Sequence, residues 1–382
     1  MLNIIIFLEV YMEIKIERNE FYRSISRVQS IIEKRSNMPI LSMVLLQAEK
    51  GSVLVSATDL EISFQQTLQA EVKKPGSVTI SGRKLFEILK ETKSSHIYIK
   101  EKENNWVYLS DDRAKFNLAS LSSDEFPVFA EPEEIPMVQV KGEVLSEMIR
   151  KTIYAVTMDE AGFKLSGVYT EKVALEGKTF LRMVSTDGHR LSMIDKEFDQ
   201  AENLDLIKGV MVPKKGMAEL IKLASEGTDL TIGFKQNHCI AKNEDSLVVI
   251  RLLESKFPDY SAVVPKEADV KINILRETLL DAMKKMVILS NESYRGVKIT
   301  LDENRIELVS INPDLGDAQE TLEVEYKAKK LEAGFNARYF IDVLQVMDSN
   351  MIELGFINDS SPCLLRGSED KGFLGLIMPM RL

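Results

Sequence analysis

The chain predicts an α+β fold made of three repeated domains, each an antiparallel sheet with two helices. The first observation is repetition. LSMVLL around Val44, LSGVYTE around Val168 and YRGVKIT around Val297 align with spacings of 124 and 129, so three units of about 125 residues would nearly fill 382 positions. The second is order: each unit reads strand, helix, strands, strand, helix, strands, which suits helices packed on one face of an antiparallel sheet. The third is the stretch Met183 to Ile194, MVSTDGHRLSMI, which sets Asp187-Gly188 between two alternating apolar runs and so predicts a β-hairpin.

The elements follow in order. Residues 1–11 read as an extension outside the core, because the strand-then-helix pattern starts at Met12. EIKIE, Glu13 to Glu17, is a strand. The helix after it puts Phe21, Ile25, Val28 and Ile32 on one face. A turn at Pro75-Gly76 leads through SVTI into a second helix, for which Ser81 is the expected N-cap. Strands through Trp106 and through KFNLASL complete the first domain, residues 12–132, and the stretch SSDEFPVFAEPEEIP reads as a linker. The second domain, 133–264, repeats the order with helices in VLSEMIRKTIYAVT and KKGMAELIKLASEG. The third, 265–382, does so with LRETLLDAMKKMVILSN and NARYFIDVLQVMDS, and closes on the strand GFLGLIMPMRL. The second helices of the units align too, with Glu87, Glu219 and Asp342 at spacings of 132 and 123.

Composition bounds the function. Hydrophobic residues at 45% and charged residues at 28% describe a soluble globular chain, and the apolar run Ile4 to Leu8 is too short to cross a bilayer. Cys239 and Cys363 lie 124 residues apart and form no CxxC pair, which fits a reducing, cytoplasmic setting without a disulfide framework. The net charge of −10 argues against uniform binding to a polyanion. Yet the six helical stretches carry a formal +8, leaving −18 for everything else. Either all six helices face a common polyanion, or their lysines and arginines merely solvate helix surfaces.

Motifs for catalysis are scarce. Asp187 and His189 are two apart, would share a side on a strand, and could serve a metal-dependent hydrolase; a turn aspartate beside a hydrogen-bonded histidine is the alternative. Asp59 and Glu61 could form a carboxylate pair, but Asp59 aligns with Asp187, so a repeated turn residue explains it more cheaply. No GxSxG occurs, and Gly162 to Gly167 continues with Val168 where a phosphate loop needs Lys. No cofactor is expected. The terminal MPMRL is apolar and aligns with strands of the other repeats, so it should pair into the third sheet; its methionines suit either a core or an adaptable binding surface.

TDGHRL at Thr186 to Leu191 and MPMRL at Met378 to Leu382 resemble landmarks of the bacterial sliding clamps, the β subunit of the replicative DNA polymerase. MPIL at Met38, FPDY at Phe257, ILSNE at Ile288, RGV at Arg295 and GFN at Gly334 stand in that family's order too, so the similarity runs from Met12 to Leu382. The resemblance implies the DNA clamp fold, ring-forming: a cytoplasmic homodimer of six domains around double-stranded DNA, bound without sequence preference and without a reaction of its own. It implies partners that dock through a short linear motif: the replicative DNA polymerase, the clamp loader, translesion polymerases, mismatch-repair proteins and ligase.

Carried over by motif, the client-peptide pocket would comprise Leu165, Thr186, Gly188, His189, Arg190, Leu191, Pro258, Val263, Met283, Asn336, Tyr339, Met378, Pro379, Met380, Arg381 and Leu382. Candidates for phosphate contact are Arg23, Arg27, Arg35, Arg83, Lys84, Arg150, Lys151, Lys164, Lys214, Lys215, Lys284, Lys285 and Arg338, and Phe116 is the candidate for the dimer interface, with an apolar core position as the alternative. Two departures bear on the pocket. Ser261-Ala262 stands where the family often has arginine after FPDY, and Met283 where a bulkier aromatic is sometimes found.

Overall fold

The computed structural model describes residues 11–32, 37–127, 135–157, 165–206, 208–225, 229–265, 267–292 and 294–381. Most of the expected extension, residues 1–10, and residues 128–134 of the expected linker lie outside them. Among the described residues are six α-helices: α1 Arg18–Val28, α2 Gly82–Glu91, α3 Gly142–Ile153, α4 Lys214–Ala224, α5 Arg276–Ile288 and α6 Ala337–Val346. Five fall within the stretches the periodicity marks and α3 starts two residues before its stretch; five continue directly from the last residue of a strand, for instance Glu13–Glu17 into α1. Within α1, Phe21, Ile25 and Val28 are fully buried, as one apolar face requires. Caps vary. The Glu17 carboxylate accepts from Glu20 N at 2.7 Å and Asn336 Oδ1 accepts from Arg338 N at 2.9 Å, whereas Ser81 holds the N-cap position of α2 without a side-chain hydrogen bond.

Repetition is visible in atoms as well as in order. Arg18 opens α1 and gives Nη2 to the carbonyls of Leu89 and Lys90 at the end of α2. Arg276 opens α5 and gives Nη1 to Leu344 O, at 3.1 Å, near the end of α6. Each cation thus meets exposed carbonyls at the negative end of its partner helix. Gly142 occupies that position in α3, so the second repeat lacks the device. The turns repeat too. Asp187 Oδ1 accepts from His189 N and Arg190 N at 3.0 and 3.1 Å, and Asp59 Oδ1 accepts from Glu61 N and Ile62 N at 3.0 and 2.6 Å. Thr186 and Thr58 support them by accepting from Gly188 N and Leu60 N. Gly188 and Leu60 adopt positive φ, 88° and 73°, at the same place in the turn. The Asp59 and Asp187 carboxylates therefore hold turns, and the pair Asp187/His189 sits in a three-residue loop instead of on a strand.

The chain divides into two compact units, and the second repeat is split between them. In the unit of residues 1–137 and 229–251, the sheet runs Lys115–Ala119, Trp106–Ser110, His96–Lys102, Glu13–Glu17, Ile62–Lys74, Ser246–Arg251, His238–Lys242 and Leu230–Lys235. The long strand Ile62–Lys74 also pairs with Ser52–Thr58, and Ser246–Arg251 pairs with its start.

In the unit of residues 138–228 and 252–382, an eight-stranded sheet runs Val210–Pro213, Gly167–Leu175, Lys178–Thr186, Arg190–Glu197, Phe373–Ile377, Cys363–Gly367, Met351–Phe356 and Val270–Leu275. A four-stranded sheet of the third repeat runs Gly316–Glu323, Arg305–Asn312, Gly296–Asp302 and Leu331–Asn336. The closing strand of the chain differs from expectation. It ends at Ile377, and besides Cys363–Gly367 it pairs with the hairpin strand Arg190–Glu197 of the second repeat. That pairing brings the two motifs TDGHRL and MPMRL together.

Candidate functional site

Arg190 is the hub of the site. Its side chain is nearly buried, with Nε 3.0 Å from Asp187 Oδ2, Nη1 2.7 Å from Asp342 Oδ2 and Nη2 donating to Tyr154 O at 2.9 Å. The guanidinium also lies 4.5 Å from the Tyr339 ring centre and 5.3 Å from that of Tyr154. Burial alone would make the cation easier to deprotonate, but Asp342 and Asp187 outweigh it and hold its pKa above the ordinary arginine value. The result is a fixed charge joining the Thr186–Arg190 turn to α6. Arg338 adds a second cation on Asp342, Nε to Oδ1 at 3.1 Å.

The chain's last residues lie against this hub. Met378 N donates to His189 O at 2.8 Å, and Met380 N donates to Gly334 O at 2.8 Å. Beneath them is an apolar cluster of Val184, Leu191, Met211, Phe257, Leu364, Leu374 and Leu376, against which half-buried Leu165, Met193, Val264 and Met378 pack. Half-buried Tyr339, Pro379 and Met380 and exposed His189 and Arg381 complete the rim. Partly exposed aliphatic and thioether groups beside fixed polar ones suit a short extended segment carrying apolar residues.

Beside this cluster Tyr169 stacks on Phe257 at 4.9 Å, and the Tyr260 hydroxyl donates to Glu171 while accepting from Arg182 Nη1 at 3.2 Å. Burial, and then Glu171, push the Tyr260 hydroxyl up to about 12. Arg182 is held bidentate by Asp195, at 2.6 and 2.7 Å, so the FPDY segment is anchored where the following Ser261-Ala262 lacks arginine.

Two expected pocket residues sit differently. Met283 is fully buried in the interior face of α5 and offers no surface to a ligand. Of the neighbours Val263 and Val264, the second packs on the apolar cluster, while Val263 is 44% exposed. Pro258 is exposed, and Leu382 lies outside the described residues. Tyr154, Asp342, Gly334 and Val264 belong to the site without having been expected there. Asp342 carried a signal, since it aligns with Glu87 and Glu219, and Gly334 opens the GFN landmark; Tyr154 and Val264 sit in no motif.

The basic candidates divide. Arg23, Arg83, Lys84, Lys215, Lys284, Lys285 and Arg338 are exposed, and Arg35 and Lys164 lie outside the described residues. Lys151 is a correction: it is 0% exposed, with Nζ 2.8 Å from Glu147, 2.8 Å from Asp348 and 2.6 Å from Asp370, so it cannot reach a phosphate. Its α3 neighbour Arg150 is exposed but bonds Val346 O at 2.8 Å and Asp348 at 3.1 Å. The Arg27 guanidinium lies 4.6 Å from the Phe64 ring centre, and half-buried Lys214 has its pKa lowered by burial and by nearby Arg190. Cationic surface therefore remains on several helices, while two arginines and two lysines of the set do internal work. Half-buried Phe116 lies on Lys115–Ala119, the strand that ends its sheet.

Family models described as the N-terminal, central and C-terminal domains of the DNA polymerase III beta subunit match residues 12–130, 139–259 and 261–381. A beta sliding clamp of Pseudomonas putida is 30% identical over 377 residues, covering 97% of this chain and all of that protein. One from Caulobacter vibrioides is 31% identical over 376 residues with the same coverage. Among solved structures, the beta sliding clamp of C. crescentus superposes with a TM-score of 0.93 at 29% identity, covering 98% of this chain and 100% of that one. The DNA polymerase III subunit beta of Pseudomonas aeruginosa does so with 0.90 at 30% identity, covering 97% and 100%.

Proposed function

The chain belongs to the beta sliding clamp family, the DNA polymerase III beta subunits, and from that premise we propose that two copies close head to tail into a ring around duplex DNA. The folding units of this ring are residues 12–132, 133–264 and 265–382. Its twelve helices line the opening, and Arg23, Arg83, Lys84, Lys215, Lys284, Lys285 and Arg338 meet phosphates without reading bases, so the ring slides while topologically held. Partners are the replicative polymerase, the clamp loader, translesion polymerases, mismatch-repair proteins and ligase, each docking a short peptide beside Arg190 and Met378. The protein acts in the cytoplasm and catalyses nothing itself. In support, both oxygens of Asp187 are already engaged by the turn and by Arg190.

The observation that carries the reading is a pair of open strand edges of opposite character. Lys115–Ala119 ends one sheet and Gly316–Glu323 ends another. Phe116 and Lys115 lie on the first edge, with Lys102 reaching Asn117 at 2.9 Å. The second bears Asp317, Glu320 and Glu323, with exposed Leu315 just before it and exposed Ile311 opposite Asp317 on the neighbouring strand. An open edge invites another strand, and complementary charge orients the pairing head to tail. The test is loading onto closed circular DNA by an ATP-driven loader, followed by linearisation. Release on linearisation is expected; equal retention on the linear form rejects the ring.

A further inference from the structure

One side of the first repeat's sheet gathers aromatic rings and lysines. Along His96–Lys102 and Trp106–Ser110, Ile97, Ile99, Val107 and Leu109 are buried, which turns Tyr98, Lys100, Lys102, Trp106 and Tyr108 to the opposite face. Register then assembles them. Lys100 is opposite Tyr108 and Lys102 opposite Trp106, while Lys15 of the neighbouring strand is opposite Tyr98. The Tyr98 and Tyr108 rings meet edge to face with centres 6.2 Å apart. Lys73 Nζ stands 5.3 Å from the first centre and Lys102 Nζ 4.8 Å from the second. Trp106, the only tryptophan, is 46% exposed, an unusual state for so large an apolar ring.

The charge of the face is positive. Lys15, Lys73, Lys100, Lys102 and Lys115 stand against Glu13, Glu17 and Glu71, an excess of two cations in a chain of net charge −10. Glu13 pairs with Lys73 at 3.8 Å and with Lys100 at 3.7 Å, separations loose enough for a better anion to displace. Lysines alternate along one strand at about 6.7 Å, beside two half-buried tyrosine rings and the exposed indole of Trp106.

We propose that this face binds single-stranded nucleic acid: a base stacks on Trp106, and Lys100, Lys102 and Lys73 contact the adjoining phosphates. A sheet carrying aromatic rings among cations is a general solution for unpaired strands, because every base offers a π face and the backbone supplies the charge. An acidic peptide would satisfy the lysines but would leave the exposed indole without a partner. Duplex DNA would hide its base faces from the ring. This surface lies on the face away from the buried side of the sheet, so it is separate from the helix-borne cations proposed for duplex.

Because Trp106 is unique, its own fluorescence reports the site. The full-length protein is titrated with oligodeoxythymidylate of about twenty nucleotides at low salt, then with salt added back. Binding quenches the tryptophan and the quench reverses as salt rises. In anisotropy with the labelled oligonucleotide, Trp106→Ala binds about tenfold more weakly. Lys73→Glu combined with Lys100→Glu weakens binding further and flattens the salt dependence, with circular dichroism and solution mass unchanged. No quench in the parent protein, or unaltered affinity in these variants, overturns the proposal. Equal quenching by a duplex or by poly-L-glutamate overturns it as well, the latter assigning the face to acidic peptides. Arg23→Glu, on α1, leaves this binding unchanged, which separates the face from failure or success of ring loading.

Discussion

Arg190 Nη1 lies 2.7 Å from Oδ2 of Asp342, a residue 152 positions further along the chain. One contact thus ties the second repeat's hairpin to the third repeat's last helix, and the same guanidinium lies against the Tyr154 and Tyr339 rings. Arg190→Ala leaves Asp187 and Asp342 facing each other across a vacated, largely buried space. It should lower stability by about 2 kcal/mol in urea denaturation, less than a fully buried pair because both carboxylates keep some solvent contact. It should also weaken a short apolar client peptide about tenfold by anisotropy. Arg190→Lys keeps the charge but loses the planar stacking and the three-way fork, so it should recover only part of either effect. Equal peptide affinity in both variants and the parent would remove Arg190 from the pocket's framework.

The cluster around Lys151 predicts a pH signature. Burial works against every charge in it, yet hydrogen bonds from Lys151 hold Asp370, Asp348 and Glu147 below the usual carboxylate range. Those carboxylates in turn raise the pKa of Lys151. Depressed carboxylate values contribute stability above the unfolded pKa, about 4, and that contribution is lost as pH falls through the folded values. The raised lysine contributes below its unfolded value, about 10.4, and loses that as pH rises through its folded one. Lys151→Met should therefore cost about 3 to 5 kcal/mol at pH 7, since Asp370 is left buried without its cation. The gap between variant and parent should narrow below about pH 4. A gap independent of pH would mean that the methionine loses packing and not charge.

Removal of Met378 to Leu382 tests the other half of the pocket. The strand Phe373–Ile377 keeps its partners Cys363–Gly367 and Arg190–Glu197 in the truncated chain, so the fold and solution mass should hold. Contacts to His189 O and Gly334 O disappear, along with the apolar rim. Client peptide binding and polymerase stimulation should be abolished; undiminished stimulation would show the peptide docks elsewhere.

The edge strands predict the assembly state. Phe116→Asp or Leu315→Asp places an acid where an apolar contact between copies is proposed, and Leu315 is 64% exposed in the single chain. Light scattering should give a mass near 43.2 kDa for either variant and twice that for the parent. Because Leu315 is largely exposed, melting of the Leu315→Asp variant should stay close to that of an isolated protomer, whereas Phe116, opposite buried Leu109, should also lose some packing in its variant. A parent that sizes as a monomer would end the head-to-tail reading.

Periodicity determined the local structure of this protein. The apolar spacing of Phe21, Ile25 and Val28 produces α1, and the turn chemistry of Asp187-Gly188 produces the hairpin, because both depend on neighbours within a few residues. Repetition among Val44, Val168 and Val297 revealed three copies of one plan. Motif resemblance named Arg190, Met378 and Tyr339 together, yet nothing in their spacing states that they touch. Tertiary structure decided which charges remain available. Arg150 stays exposed on α3, while the next residue, Lys151, is sealed among three carboxylates drawn from α3 and from the loops around Asp348 and Asp370. A count of helix cations treats those two alike, since the acids that claim Lys151 lie about two hundred residues away for two of the three. Met283 went the same way, its helical position buried by the packing of α5 instead of lining a pocket. Local pattern sets which elements form, because backbone geometry is a short-range matter. Which side chain is sheltered, paired or left open is set by elements that meet only after the chain has folded, and that is where this site and the tryptophan-bearing face were decided.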